Sequence, residues 1–325
     1  MVLLEVKNLT LGFYSEKNKK WLKALNNINF SLNKNEFLGI VGESGSGKTI
    51  LANSILNLIP KQGKIISGSV LFKDKDILKL SENEVRKIRG KDIAIIFQDP
   101  MSSLHPLLTV KDQIVETLHA HGLINKTDAL DITMNLLKDV KIDLPELVLN
   151  KYPFMLSGGI RQRVMIAIAI SCSPEIVIAD EPTTALDVTV QKDILALIKG
   201  FKKNLNFSFI LVSHDLGVIW ENTDRVIVLY CGRIMESGKT KEVLRNPLHP
   251  YTFGLLSSIP RRTGNKLEIL KEIKGSIPSL QDFPEEICPF LERCNFATKR
   301  CHDPVSLEQI DDDRFVACFN KGMFR

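Results

Sequence analysis

Hydrophobic positions along this chain follow two patterns. Short unbroken apolar runs, Phe37-Leu-Gly-Ile-Val41, Ile176-Val-Ile-Ala179 and Phe209-Ile-Leu-Val212, have the composition of strands buried on both faces of a parallel sheet. Apolar residues spaced by three and four over Val110 to His121, Asp128 to Val140 and Val188 to Lys203 predict amphipathic helices. Residues 2–13 and 64–73 alternate enough to predict strands of an antiparallel layer, and the whole stretch from Gln98 to Ser157 reads as helical. Buried strands interleaved with helices indicate an α/β fold. No internal repeat or sustained heptad pattern interrupts it.

The first apolar run leads into Gly42-Glu43-Ser44-Gly45-Ser46-Gly47-Lys48-Thr49, a complete phosphate-binding loop. Glycines let such a loop turn tightly and aim its backbone N–H groups at phosphate oxygens. The helix that follows adds partial positive charge at its N-terminus. Lys48 has the reach for β- and γ-phosphates, and Thr49 offers a hydroxyl to Mg²⁺. The second run ends in Asp180-Glu181, two carboxylates at the C-terminal end of a strand, where open α/β sheets bind ligands. Alone, that pair would equally serve to cap a helix. Behind a phosphate loop, Asp180 suits Mg²⁺ and Glu181 suits the attacking water. The third run leads to His214, at the same sheet edge. Leu156-Ser157-Gly158-Gly159 precedes a helix expected over about Arg161 to Cys172 and forms a second anion-binding N-terminus.

Taken in order, these motifs resemble the ATP-binding-cassette (ABC) ATPases. Gln98 in Ile95-Ile-Phe-Gln98 matches that family's Q-loop, Ser157-Gly158-Gly159 its signature, Ala185-Leu186-Asp187 its D-loop, and His214 its switch histidine. Ile160 stands where Gln or Met is frequent. The resemblance covers roughly residues 1–245. It implies a P-loop nucleotide-binding domain: a RecA-like core, an antiparallel β layer, and a helical insertion over about residues 100–172 that docks on membrane subunits. It also implies that two cassettes sandwich two ATP molecules, each signature facing the ATP of the other chain. Catalysis then falls to Glu181, His214 and Gln98. Nucleotide contacts fall to residues 42–49, Gln98, Asp180, Ser157, Gly158, Gly159 and Asp187. Mg²⁺ falls to Thr49, Gln98 and Asp180. For adenine stacking Phe13 aligns best, with Tyr14 and Trp21 as alternatives and core packing an equal reading for each.

Residues 246–325 form a small C-terminal extension. His249-Pro-Tyr251-Thr-Phe-Gly-Leu-Leu-Ser-Ser-Ile-Pro260 and Ile273-Lys-Gly-Ser-Ile-Pro278 resemble the ATPases of oligopeptide, dipeptide and nickel permeases. Four of the six cysteines, Cys288, Cys294, Cys301 and Cys318, crowd the last 38 residues with spacing C-x5-C-x6-C-x16-C. Four thiolates suit zinc or an iron–sulfur cluster, and the tight C-x2-C of most zinc ribbons is missing. The residues leave cluster, zinc and no metal open; the resemblance favours a [4Fe–4S] cluster. Cys172 and Cys231 read as core or surface thiols.

Charge narrows the function further. With 43 basic and 38 acidic residues the formal charge is +5, too mild for a nucleic-acid footprint. Val164 to Ala179 comes nearest to a membrane span, and Pro174 and Glu175 break it. Met1-Val-Leu-Leu-Glu5 lacks the basic region of a signal peptide. The resemblance therefore implies a peripheral ATPase on the cytoplasmic face of the membrane. Its partners would be a second, different cassette, two transmembrane permease subunits and an extracytoplasmic solute-binding protein. Oligopeptides or dipeptides are the first reading of the cargo. The alternatives are a nickel or metallophore importer, a soluble non-transport ABC ATPase, and a nucleotide-binding regulator without turnover, against which Asp180, Glu181 and His214 argue.

Overall fold

A computed structural model describes residues 1–324 apart from 125–128, 185, 205–206, 260–261, 264–265 and 268–271. Asp128, Ala185 and Pro260 therefore lie outside the described residues. The chain divides into two compact units, residues 1–78 with 213–325, and residues 79–212.

The first unit begins with β1 (Val2–Ser15) and β2 (Lys20–Asn33), which pair antiparallel. Then come β3 (Phe37–Val41), α1 (Lys48–Ile55) and β4 (Gly63–Phe72), with β4 on the other edge of β1. This is the expected antiparallel layer, with β2 as a strand that alternation did not reveal. The sequence of β2, Lys-Trp-Leu-Lys-Ala-Leu-Asn-Asn-Ile-Asn-Phe-Ser-Leu-Asn, alternates over Ile28, Phe30 and Leu32 but breaks its period in the first half, at Trp21-Leu22 and Ala24-Leu25, where the β1–β2 register also shifts. Each shift moves later side chains to the other face. Every residue of β3 is buried, which explains its unbroken apolar run.

The second unit holds β5 (Ile93–Ile96), the helices α2 (Val110–Ala120), α3 (Ala129–Asp139) and α4 (Gly158–Ile170), then β6 (Ile176–Asp180), α5 (Val188–Asn204) and β7 (Ser208–Ser213). Strands β5, β6 and β7 run parallel, in that order, with β6 and β7 buried throughout. Helix α2 opens with a capping box, Thr109 and Asp112 each satisfying the other's backbone N–H. The signature helix starts three residues before its expected first residue, because Ser157 caps it at Ile160 N–H.

The chain re-enters the first unit at residue 213 and there forms β8 (Arg225–Tyr230), parallel to β3, and β9 (Arg233–Lys239), antiparallel to β8. After α6 (Pro250–Ser257), the hairpin β10 (Glu308–Asp311) and β11 (Arg314–Val316) adds to this sheet through β9. The C-terminal extension thus continues the β3–β8–β9 sheet and belongs to the same compact unit as the phosphate loop. One wholly buried carboxylate, Glu236 on β9, ties it down. Glu236 accepts the N–H groups of Leu248 and His249, both at 2.9 Å, and pairs with Arg314 at 2.8 Å. Arg314 also donates to the carbonyl of Asn246.

Candidate nucleotide site and four-cysteine cavity

The loop between β3 and α1 has the shape that binds phosphate. Gly47 caps α1 at φ 102°, a conformation that L side chains rarely adopt. At Gly42 a Cβ would stand 2.2 Å from the carbonyl oxygen of Leu229, so only glycine fits beneath β8. Lys48 is buried, and its Nζ donates to the loop's own carbonyls, Gly42 O at 2.9 Å and Glu43 O at 3.1 Å. Ser46 is fully buried and its hydroxyl has no hydrogen-bond partner among the described residues. The loop therefore offers a cation, a spare hydroxyl and a helix N-terminus to an anion. Ser44, Gly45 and Thr49 lie exposed at its rim.

Glu43 is held at both ends of its residue. Its N–H donates to Tyr251 Oη at 2.9 Å, and its carboxylate meets Arg293. Burial pushes the Tyr251 phenol up and that of its neighbour Tyr230 to about 12. Both rings therefore stay protonated and act as neutral partners. These contacts escaped the sequence reading. Arg293 lies 250 residues from Glu43, and nothing in either local sequence signals the pairing.

In the second unit the catalytic candidates gather at the C-terminal end of β6. Asp180 is buried and Glu181 half-buried. Glu181 sits at φ 46°, unusual for a residue with a Cβ, and its N–H donates to Val212 O at 3.0 Å. Its carboxylate accepts Thr184 Oγ1 at 3.1 Å and Gln98 Nε2 at 3.3 Å. The structure thus brings together Gln98 and Glu181, which sequence placed 83 residues apart, and adds Thr184. Asp187 caps α5, accepting the N–H groups of Thr189 and Val190 at 3.1 and 2.9 Å. His214, which belongs to the first unit, is exposed just after β7.

Of the aromatic candidates, Phe13 is half-buried, while Tyr14 and Trp21 are exposed and pack edge to face at 5.5 Å. Both remaining cysteines are buried, Cys231 within the β8–β9 turn at φ 44°.

The four tail cysteines line one cavity together with His249, Pro250, Leu291, Val305, Phe319 and Asn320. Among the described residues, no three His, Cys, Asp or Glu side chains stand close enough to hold a single metal ion. Burial pushes the Cys288 thiol up to about 11, Cys318 to about 12, and Cys294 above its ordinary value. His249 beside them is driven down to about 3 by burial. Its Nδ1 accepts the Tyr251 N–H at 3.0 Å, and its Nε2 lies 3.9 Å from Cys288 Sγ. Donors already point at the sulfurs: Asn320 N–H at Cys318 (3.3 Å), Asn320 Nδ2 and Thr298 N–H at Cys301 (3.4 and 3.5 Å).

Comparison with known proteins decides the family. Residues 25–184 match the ABC transporter family, and residues 235–301 match the oligopeptide/dipeptide transporter C-terminal region. The oligopeptide transport ATP-binding protein AppD of Bacillus subtilis is 45% identical over 98% of this chain and 96% of its own length. This chain belongs to the ABC transporter ATP-binding family. A second relative, the oligopeptide transport ATP-binding protein OppD of Salmonella typhimurium, is 43% identical over 98% of this cassette and 93% of its own length. Among solved structures, the dimeric post-hydrolysis state of the ATP-binding cassette MJ0796 bound to ADP and Pi superposes with a TM-score of 0.65. It is 31% identical and covers 73% of this chain and 99% of its own. No helix among the described residues of this cassette is long and apolar enough to cross a membrane.

Proposed function

We propose that this cassette is the ATP-hydrolysing subunit of an importer for oligopeptides or dipeptides. The observation that carries the reading is the combination in one chain of a complete nucleotide motif set with the oligopeptide/dipeptide C-terminal region. The names of its near full-length relatives support peptide over nickel as cargo. Residues 1–245 form the motor and residues 246–325 the extension. The motor pairs with a second, related cassette, sits peripherally on the cytoplasmic face, and drives two permease subunits served by a solute-binding protein. Deleting the gene should abolish uptake of a radiolabelled tripeptide and leave nickel uptake intact. Tripeptide uptake at the parental rate would overturn the assignment.

Within the motor, Lys48 and the N–H groups of residues 42–49 bind the β- and γ-phosphates. An aromatic near the end of β1, from Phe13, Tyr14 and Trp21, takes the adenine. Thr49, Asp180 and Gln98 supply the hard oxygen ligands that suit Mg²⁺, which when bound neutralises phosphate charge. Glu181 orients and deprotonates water, and His214 contacts the γ-phosphate. Ser157, Gly158, Gly159 and Asp187 serve the nucleotide of the partner cassette.

That last role has a clean test. A Cβ at Gly158 would meet only Leu186 Cδ2, at an ordinary 3.7 Å, whereas one at Gly159 would press Val190 at 3.0 Å. Gly158→Asp therefore adds a carboxylate with little steric strain. It should leave ATP binding to the isolated chain unchanged and suppress hydrolysis by the assembled pair, because like charges repel at the shared phosphate. Weakened ATP binding to the isolated chain would place the signature in the wrong site.

The four tail thiols are read here as ligands of an iron–sulfur cluster rather than of one ion, for which no three His, Cys, Asp or Glu side chains among the described residues stand close enough. What supports the reading is that the four cysteines line one cavity and that N–H groups at Cys301 and Cys318 would stabilise thiolate charge. Cys288, Cys294, Cys301 and Cys318 would hold it, and when bound it would staple a segment with little core of its own. Protein purified without oxygen should contain about four irons per chain, and Cys301→Ser should lose them. Iron-free protein with an intact, stable tail would overturn the cluster.

A further inference from the structure

Glu43 is the only acidic residue in the phosphate-binding loop. A carboxylate there opposes the binding of a polyphosphate, since like charges repel. The C-terminal extension neutralises it. Arg293 Nη1 donates to both carboxylate oxygens of Glu43 at 3.1 Å, and Nη2 donates to Oε2 at 3.1 Å. The rest of the guanidinium is also engaged: Nη1 donates to Tyr230 Oη (3.1 Å), Nε to Lys274 O (2.8 Å) and Nη2 to Gly275 O (3.1 Å). With its side chain only 8% exposed, Arg293 is a fixed strut rather than a surface charge. Tyr251, from the same extension, holds the main chain of Glu43 at 2.9 Å. The rings of Tyr251 and Tyr230 lie 4.6 Å apart, and both pack on Phe290, three residues before Arg293.

The strut is anchored among the tail cysteines. Arg293 ends the short turn Leu291–Arg293, which Cys288 and Cys294 flank. The carbonyl of Cys288 accepts the Leu291 N–H at 3.1 Å, and the Cys294 N–H donates to Leu291 O at 3.2 Å.

We propose that Arg293 is a positioning residue for ATP binding: it neutralises Glu43 and holds the phosphate loop in place, so the extension sets the nucleotide affinity of its own subunit. The inference rests on the loop binding ATP, as above, and needs no metal at the thiols. The test is calorimetric titration of the full chain with Mg·ATP and with Mg·ADP. Arg293→Ala frees the carboxylate and should weaken ATP binding roughly tenfold, with a smaller loss for ADP, which carries less charge. Adding Glu43→Gln to Arg293→Ala removes the freed charge and should restore most of the affinity. A strut that merely stabilised the tail would show no such rescue. Arg293→Lys keeps the charge and loses the bidentate fork, so it should fall between wild type and alanine, and it is the variant to read if alanine does not fold. Wild-type affinity in Arg293→Ala, or in Arg293→Lys where alanine does not fold, would overturn the proposal. So would a double variant that binds no better than Arg293→Ala. Failure of the wild-type chain to bind ATP at all would instead strike the nucleotide-site reading itself.

Discussion

Glu181→Gln should leave ATP bound and nearly stop its hydrolysis. The substitution is almost isosteric, and the amide's carbonyl oxygen can accept the same donors, Thr184 Oγ1 and Gln98 Nε2, that the carboxylate accepts now. The φ of 46° and the N–H bond to Val212 O are backbone properties, equally open to Gln. On the proposed mechanism, what disappears is the ability to take a proton from water attacking the γ-phosphate. Loss of a general base costs about 100- to 10,000-fold in rate, and the phosphate-release assay should fall by that factor while ATP affinity holds. An ATP-bound closed pair should then accumulate and elute as a dimer on gel filtration. Phosphate release at the wild-type rate would remove Glu181 from the role of base. The strain stored at this residue has a reading of its own: a side chain held in the left-handed region at a strand end is aimed by its backbone and stays aimed when its partners change.

Lys48→Ala should cost on the order of 100-fold in ATP affinity, the scale of one or two hydrogen bonds between a charged donor and a phosphate. In the structure its ammonium is buried and donates to Gly42 O and Glu43 O, within the loop that Lys48 closes. The cation is thus already desolvated and pointed into the loop, so little reorganisation opposes its transfer to a phosphate. Alanine removes the charge and also leaves two carbonyls without that donor, so the loop should lose order as well as affinity. Titration with Mg·ATP measures the loss, and hydrogen exchange over residues 42–49 measures the loosening. Unchanged affinity would mean that another cation serves the phosphates. On the proposed reading Lys48 and Arg293 would act on one loop from opposite directions: Lys48 would supply charge to the nucleotide, and Arg293 would withdraw an opposing charge from it.

Much of this protein could be read along the chain, because the signals involved are local. A strand buried on both faces must be apolar at every position, so β3, β6 and β7 announced themselves as unbroken runs. A phosphate loop needs glycine where φ is positive and where backbone crowds it, as at Gly47 and Gly42, so its pattern closes within eight residues. Helices α2 and α5 followed from their spacing, and Ser157 from its place before an apolar helix.

The tertiary structure alone decided how distant segments meet. Strand β2 alternates only in its second half, and pairing with β1 across the register shifts makes its first half, with Trp21-Leu22 and Ala24-Leu25 adjacent, part of the same strand. The extension looked like an appendage after residue 245, yet β11 continues the sheet of the phosphate loop, and Glu236 welds the two through Leu248, His249 and Arg314. Cysteine spacing named four thiols, but their common cavity depends on how turns from Cys288 to Cys318 close around His249. The Glu43–Arg293 pair is the limiting case. Each residue, read locally, is an ordinary surface charge, and 250 residues separate them. Local propensity carries no information about such a contact. It forms because burying the Tyr230, Tyr251 and Phe290 rings brings the tail against the loop, and a carboxylate left there needs a cation.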